Sequence, residues 1–159
     1  MKIGVLSDTH LIAPLPELKR LVERHFMDVD QIFHLGDFTD LSIAKYLSDQ
    51  KELIAVCGNM DPQEIRVEFP TKKVIELSGF KIGLIHGGGP PLGIESRIRE
   101  QFDDVDVIIY GHTHTSANHR VKKTLFFNPG SPTRSFTGKG TIGILHVEEK
   151  IEGQVIEVG

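Results

Sequence analysis

The chain contains a single cysteine, Cys57, so neither an intrachain disulfide nor a cysteine-built zinc site can form. It lacks a basic excess. Eighteen Lys and Arg stand against 22 Asp and Glu, for a formal net charge of −4. That excludes nucleic-acid binding driven by bulk charge, though not a nuclease site, and no stable nucleic-acid partner is expected. No apolar run approaches ~18 residues, so no membrane-spanning helix is expected. Met1-Lys2 leads straight into a short apolar run and then Asp8, which argues against a signal peptide and for the cytoplasm. Linkers, internal repeats and low-complexity segments are missing as well. What remains is an ordinary globular composition, 39% hydrophobic and 25% charged over 159 residues. It predicts a single domain over residues 1–159 with an adequate core.

The first part reads as β-α-β-α-β. A strand at 2–7 precedes a helix from about Pro16 to Phe26, with Leu18, Leu21, Val22 and Phe26 at helical spacing and Pro16 in the first turn. A strand at 31–35 precedes a helix from about Leu41 to Ser48, with Asp40 as its N-cap. A strand at 52–57 follows. This alternation implies parallel strands with right-handed crossovers. Residues 58–71 hold prolines and charges and read as a loop. A hairpin over Val74–Leu77 and Lys81–Ile85 turns at Ser78-Gly79. A third helix runs from about Leu92 to Phe102, before a strand at 106–110. The remainder predicts strands near 118–122, 124–127, 141–147 and 151–157, in a β-rich, antiparallel tail. The order suits an α/β fold with two facing sheets and helices outside.

Five apolar strands each end in residues with metal-ligand chemistry. The clusters are Ser7-Asp8-Thr9-His10, Gly36-Asp37, Gly58-Asn59, His86 with its glycines, and Gly111-His112-Thr113-His114. Parallel sheets gather sites in this way at one edge. In an extended chain residues i and i+2 point the same way, so Asp8 and His10 can reach one ion, as can His112 and His114. Either pair alone reads equally well as a polar turn. Gly36-Asp37 and Gly58-Asn59 alone are common turn pairs. A carboxylate such as Asp37 can bridge two cations, and the Asn59 carbonyl is a legitimate ligand. His86 alone is more often structural, but Gly87-Gly88-Gly89 lets backbone pass close to a site. His25, His119 and His146 read as structural, and His34 as support behind the site.

The full set, from Asp8-Thr9-His10 through Gly36-Asp37, Gly58-Asn59-Met60-Asp61 and His86-Gly87 to Gly111-His112-Thr113-His114, resembles the calcineurin-like metallophosphoesterase superfamily. The hairpin before His86 and the late Asn128-Pro129-Gly130-Ser131 resemble its small prokaryotic phosphodiesterase branch, to which the eukaryotic retromer scaffold subunit is related. The resemblance implies two mixed β-sheets flanked by helices, an α/β/β/α sandwich. It implies that Asp8, His10 and His114 hold one metal, that Asn59, His86 and His112 hold a second, and that Asp37 bridges them. Asp37, Asn59 and His86 would then serve catalysis directly. Many members carry a His after the Asn, thought to protonate the leaving group. Here Met60 stands there and cannot donate a proton, which fits the phosphodiesterase branch and argues against a protein phosphatase.

The expected chemistry is hydrolysis of a small phosphodiester or nucleotide-like substrate. Two divalent ions ~3.5–4 Å apart would acidify a bridging water to a hydroxide that attacks phosphorus in line. Asp, Asn and His ligands suit Mn²⁺ first, with Fe, Ni²⁺, Co²⁺ or Zn²⁺ as alternatives. Arg134 is a candidate phosphate ligand, against the reading of an exposed surface arginine. A phosphomonoesterase or nucleotidase is one alternative function, and a non-catalytic protein-binding scaffold of the same fold another. Oligomeric state, a homo-oligomer included, is left open. Two other motifs lose on context. Gly138-Lys139-Gly140-Thr141-Ile142-Gly143 has G-x-G-x-x-G spacing but leads into a β-rich run, and His86-Gly87-Gly88-Gly89 has no G-x-S-x-G nucleophile elbow to serve.

Overall fold

In the computed structural model, which describes residues 1–133 and 138–159, ten strands and four helices alternate. They are β1 (Lys2–Leu6), α1 (Pro16–His25), β2 (Gln31–His34), α2 (Leu41–Gln50), β3 (Glu52–Ala55), α3 (Gln63–Glu68), β4 (Lys72–Leu77) and β5 (Phe80–Ile85). Then come α4 (Ile94–Arg99), β6 (Val107–Tyr110), β7 (Ala117–Val121), β8 (Thr124–Asn128), β9 (Gly140–Val147) and β10 (Ile151–Val158). One sheet has the order β10-β9-β1-β2-β3 and the other β4-β5-β6-β8-β7.

The apolar runs dictate the layers. In β1, Ile3 and Val5 face the second sheet, while Leu6 packs toward the helices. Between the sheets, Ile3, Val5, Phe33, Leu35 and Val56 meet Ile82, Leu84, Val107, Ile109, Leu125 and Phe127. Outside the first sheet, Leu18, Val22 and Phe26 of the α1 region and Ile43 and Leu47 of α2 cover Ile32 and Leu6. Outside the second, Ile94, Ile98 and Phe102 cover Ile108, Tyr110 and Phe126. The result is an α/β/β/α sandwich. Strands buried on both faces read as continuous hydrophobic runs because neither face meets water. Each fully buried aliphatic or aromatic side chain contributes roughly 1.5–3 kcal/mol.

Three details differ from the sequence reading. Residues 63–68 form helix α3, although prolines and charges predict a loop. Its only buried residue is Ile65, too little for a periodic signal. Helix α4 is shorter than 92–102 because left-handed Gly93, at φ 79°, sets its start. The β-rich tail is mixed, not antiparallel: β8 runs parallel to β6 while β7, β9 and β10 pair antiparallel with their neighbours. The Asp40 cap forms as expected, its carboxylate accepting the Ser42 N–H at 2.8 Å. Strands β1, β2 and β3 are mutually parallel, as are β5 and β6, so the loops after all five leave from one edge of each sheet. Those loops carry every candidate ligand.

Candidate metal centre

After β1 and β2 the chain does not diverge. Asp8 N–H donates to Gly36 O at 3.0 Å, His10 N–H to Asp37 O at 3.1 Å and Leu11 N–H to Phe38 O at 3.3 Å. The two ligand loops are zipped together by backbone. Their conformation is not extended. Asp8, His10, Asp37, Thr39, His112 and His114 all have left-handed φ, between 46° and 72°. So Asp8 and His10 converge, but through a left-handed turn and not through the i, i+2 alternation of a strand. The same correction holds for His112 and His114. Asp and His tolerate this region better than most residues. Each such residue still costs of order 1–3 kcal/mol, and strain of this kind clusters where a function requires it.

The side chains meet with one face of each carboxylate already used. Asp8 Oδ2 accepts the Ser7 hydroxyl at 2.6 Å and the His112 N–H at 2.9 Å. Its Oδ1 faces Nε2 of His114 at 3.3 Å, of His10 at 3.7 Å and of His86 at 3.8 Å. Asp37 Oδ1 accepts the Met60 N–H at 2.8 Å. Asp37 Oδ2 faces Nε2 of His86 at 3.3 Å and of His10 at 3.5 Å. His86 Nδ1–H donates to Leu35 O at 2.6 Å, which fixes the tautomer and aims an Nε2 lone pair inward.

Two groups of ligand atoms result, Asp8-His10-His114 and Asp8-Asp37-His86, each with all atoms within 4.8 Å of one another. Three of the converging atoms, Asp8 Oδ1, His10 Nε2 and His86 Nε2, are buried without a hydrogen-bond partner among the described residues. A buried polar atom left unsatisfied costs about 1–3 kcal/mol. Donors bound ~2.1 Å from a common ion lie ~3–3.5 Å apart, close to the separations seen here. The donor set therefore fits divalent cations. Its charge state fits too. Burial pushes the Asp8 carboxyl up, but the facing His10 and His114 rings, with His86 and the Ser7 hydroxyl, hold it below the ordinary range. Burial likewise raises Asp37, and His86 and the Met60 N–H more than offset it. Both carboxylates stay ionised.

His112 lies outside both compact groups, and Asn59 is exposed beside it. The His86 and His112 rings are 5.4 Å apart. His112 Nε2–H donates to Gly89 O at 2.9 Å, so in the neutral ring Nδ1 presents a lone pair to Asn59 Oδ1 at 3.3 Å. Two acceptors facing each other are another feature that a cation would reconcile. Arg134 lies outside the described residues. His34 sits behind the site. It is fully buried and stacked on Phe38, its Nδ1 accepts the Gly36 N–H at 3.1 Å, and its Nε2 meets Thr9 Oγ1 at 3.2 Å. Burial pushes its pKa down to about 3, so it is neutral near pH 7.

Several residues that hold the site escape a ligand-centred reading of the sequence. Asp61 is buried and accepts three backbone N–H groups, those of Asp37, Gly58 and Thr39. Asn128 donates to Gly111 O and Thr113 Oγ1 and accepts the Gly130 N–H. Ser131 Oγ donates to Asp8 O at 2.8 Å, and Thr133 Oγ1 to Thr9 O at 2.7 Å. The one available signal was the polar Asn-Pro-Gly-Ser run after an apolar strand. Two glycines permit the close approach: a Cβ on Gly58 would overlap Asp37 Oδ1, and one on Gly111 would overlap Ser7 Oγ. His119 is bonded to Glu95 at 2.9 Å and stacked on Phe126.

A probable metallophosphoesterase of Methanocaldococcus jannaschii is 40% identical over 161 residues, covering 99% of this chain and 82% of its own length. Vacuolar protein sorting-associated protein 29 of Schizosaccharomyces pombe is 29% identical, covering 95% and 80%. The structure of an archaeal phosphodiesterase superposes with a TM-score of 0.79 at 32% identity, over 99% of this chain and 100% of that one. The family pattern of the calcineurin-like phosphoesterase superfamily domain matches residues 1–150, and the chain belongs to that superfamily.

Proposed function

We propose that the protein is a binuclear metal-dependent phosphodiesterase, and that residues 1–159 form one domain around it. The observation that carries this reading is Asp8 Oδ1, buried, without a hydrogen-bond partner among the described residues and facing the Nε2 atoms of three histidines. Asp8, His10 and His114 would hold one ion, with Asn59, His86 and His112 holding the other and Asp37 between them. Asp8 also faces His86, so it contributes to the second group in the present geometry.

Bound divalent ions supply an acidified water and neutralise charge on the phosphoryl oxygens. The protein's own part is positional. Ser7 and the His112 amide hold the Asp8 carboxylate in place through Oδ2. Met60 N–H holds Asp37 through Oδ1, and Leu35 O holds the His86 ring. Each fixed group keeps one lone pair for the site. No side chain at residue 60 donates a proton, since Met60 is a thioether, and its side chain is largely exposed. Neutral, buried His34 has both ring nitrogens engaged and cannot take that role. This pattern favours diesters with good leaving groups over monoesters. The 32% identity to an archaeal phosphodiesterase along the whole chain supports the diester assignment. The mixed Asp, Asn and His donor set favours Mn²⁺ over Mg²⁺, which prefers oxygen ligands and ordered water.

The test is metal analysis of the purified protein combined with hydrolysis of a chromogenic diester. Activity should vanish in chelator and return with Mn²⁺ better than with Mg²⁺. Full activity in chelator would refute the proposal.

A further inference from the structure

Beside His86 and Asn59 the surface opens into a cavity of about 640 Å³. That volume suits a small organic ligand. Its wall carries three cations, Arg66, Lys72 and Arg97, and among the described residues no Asp or Glu lines it. The bias runs against the chain, where acids outnumber bases 22 to 18.

None of the three makes an ion pair among the described residues. Arg66 Nε donates to Asp61 O at 2.8 Å and its Nη2 to Asn59 O at 2.9 Å. Arg97 Nη1 donates to Leu92 O at 3.0 Å, and its Nη2 to Gly88 O and Pro90 O. Lys72 Nζ donates to Gln101 O at 2.8 Å and lies 5.6 Å from the centroid of the Phe102 ring. Neutral carbonyls fix these charges in place without cancelling them. An unpaired cation is not unusual in this chain, since Lys19, Lys45, Lys73 and Lys81 also make no ion pair among the described residues; what distinguishes the cavity is that three cations share one wall. Bracing explains how all three cations are held, but not why no acid lines the cavity among the described residues. Like charges lining a concave wall focus a field that raises the local concentration of anions.

We propose that this cavity is a specificity subsite. It takes the non-leaving substituent of the diester, and that substituent carries a further anionic group, a phosphate or a carboxylate. The inference rests on the phosphodiesterase reading, since the metal centre addresses only the single charge of the diester itself. The three extra cations then match extra substrate charge. Arg66 links the two regions, because the Asn59 carbonyl it holds belongs to a candidate metal ligand.

The test uses the metal-loaded, full-length protein and three p-nitrophenyl diesters whose second substituent is propyl, 3-phosphopropyl or 3-carboxypropyl. A charged ester should show kcat/KM at least ~10-fold above the propyl ester, carried by KM and shrinking as salt is added. Lys72→Gln should cut that ratio and Lys72→Glu should abolish it. The ratio is taken within one protein, so losses of folding or metal cancel. A preference for phosphate alone, or for phosphate and carboxylate alike, supports the subsite and identifies its anion. Equal kcat/KM for all three esters in the wild type, or an unchanged ratio in Lys72→Glu, overturns it. Calorimetry with the corresponding non-hydrolysable phosphonates separates this proposal from the hydrolytic one. Tighter binding of the 3-phosphopropyl phosphonate with no ester cleaved would retain the subsite and remove the phosphodiesterase reading. Equal binding of the charged and propyl phosphonates would remove the subsite.

Discussion

Asp61 holds Asp37 by its backbone: Oδ2 of Asp61 accepts the Asp37 N–H at 2.9 Å and, at 2.8 Å, the Gly58 N–H. With the Thr39 N–H on Oδ1 at 2.8 Å, one buried carboxylate joins the loops after β2 and β3. Asp37 in turn accepts the Met60 N–H, so the two acids clasp each other's loops reciprocally. The position of the Asp37 carboxylate is therefore set by a residue outside both groups of candidate ligand atoms.

Asp61→Ala should destabilise the fold by ~3 kcal/mol or more, because three amide donors would lose their acceptor at about 1–3 kcal/mol each if left dry. Asp61→Asn keeps one acceptor oxygen and should lose less. Urea titrations of the three proteins measure this, and metal affinity should fall in parallel. Wild-type stability in Asp61→Ala would show that water replaces the carboxylate without penalty.

Asp37→Asn tests the bridging role. The amide keeps the shape and can keep the Met60 contact, but it loses the charge that faces His10 and His86. Turnover of a diester should fall at least ~100-fold, and one metal equivalent should be lost or weakened 10–100-fold, the range seen when groups around a metal are removed. A variant that keeps two metals and near-normal turnover would contradict the assignment.

His34 makes the fold acid-sensitive. Its folded pKa, about 3, lies below the ordinary 6.5 because burial disfavours the charged ring. The unfolded chain therefore binds a proton below about pH 6.5 that the folded chain refuses. The stability contributed by neutral His34 is fully present above pH 6.5. It declines as pH falls toward 3, by up to ~1.4 kcal/mol per unit. His86, which burial lowers but the nearby Asp37 and Asp8 carboxylates and the Leu35 carbonyl raise overall, works in the opposite sense, so a single-residue comparison is needed. In chelated protein, His34→Gln should show a shallower loss of stability between pH 7 and pH 5 than the wild type. Parallel slopes would remove His34 as the source.

Much of this architecture is legible in the sequence. The strand-and-ligand rhythm from Leu6-Ser7-Asp8 to Tyr110-Gly111-His112 is local, and buried parallel strands announce themselves as apolar runs. The Asp40 cap is equally local. What is hidden is nonlocal or short. Helix α3 buries one residue, Ile65, and so shows no period. The left-handed φ of Asp8 and His10 follows from the β2 loop zipped alongside, which no spacing encodes. The Asp61 and Asn128 contacts join segments that sequence distance separates, and Ser131 reaches Asp8 across 123 residues. The cavity's cations gather only in the fold, where Arg97 of α4 joins Arg66 of α3 and Lys72 of β4.

Met60 gives the last prediction. No proton donor stands at residue 60, so a leaving group must depart largely as an anion. Log kcat/KM for a series of substituted aryl diesters should therefore fall steeply as leaving-group pKa rises, because no side chain flattens the dependence. On sequence alone, Met60→His restores the missing acid, with Asp61 beside it to orient the ring. The geometry argues otherwise. Both Asp61 oxygens are taken by backbone amides, and the residue 60 side chain is 60% exposed, so Asp61 offers no free oxygen to orient an imidazole there. Met60→His should thus leave the slope nearly unchanged, and any gain should fall equally on good and poor leaving groups. A clear flattening in the variant would mean that the new ring finds another orienting group. A flat dependence already in the wild type would mean that some acid other than residue 60 or His34 protonates the leaving oxygen, and the role given to Met60 would be wrong.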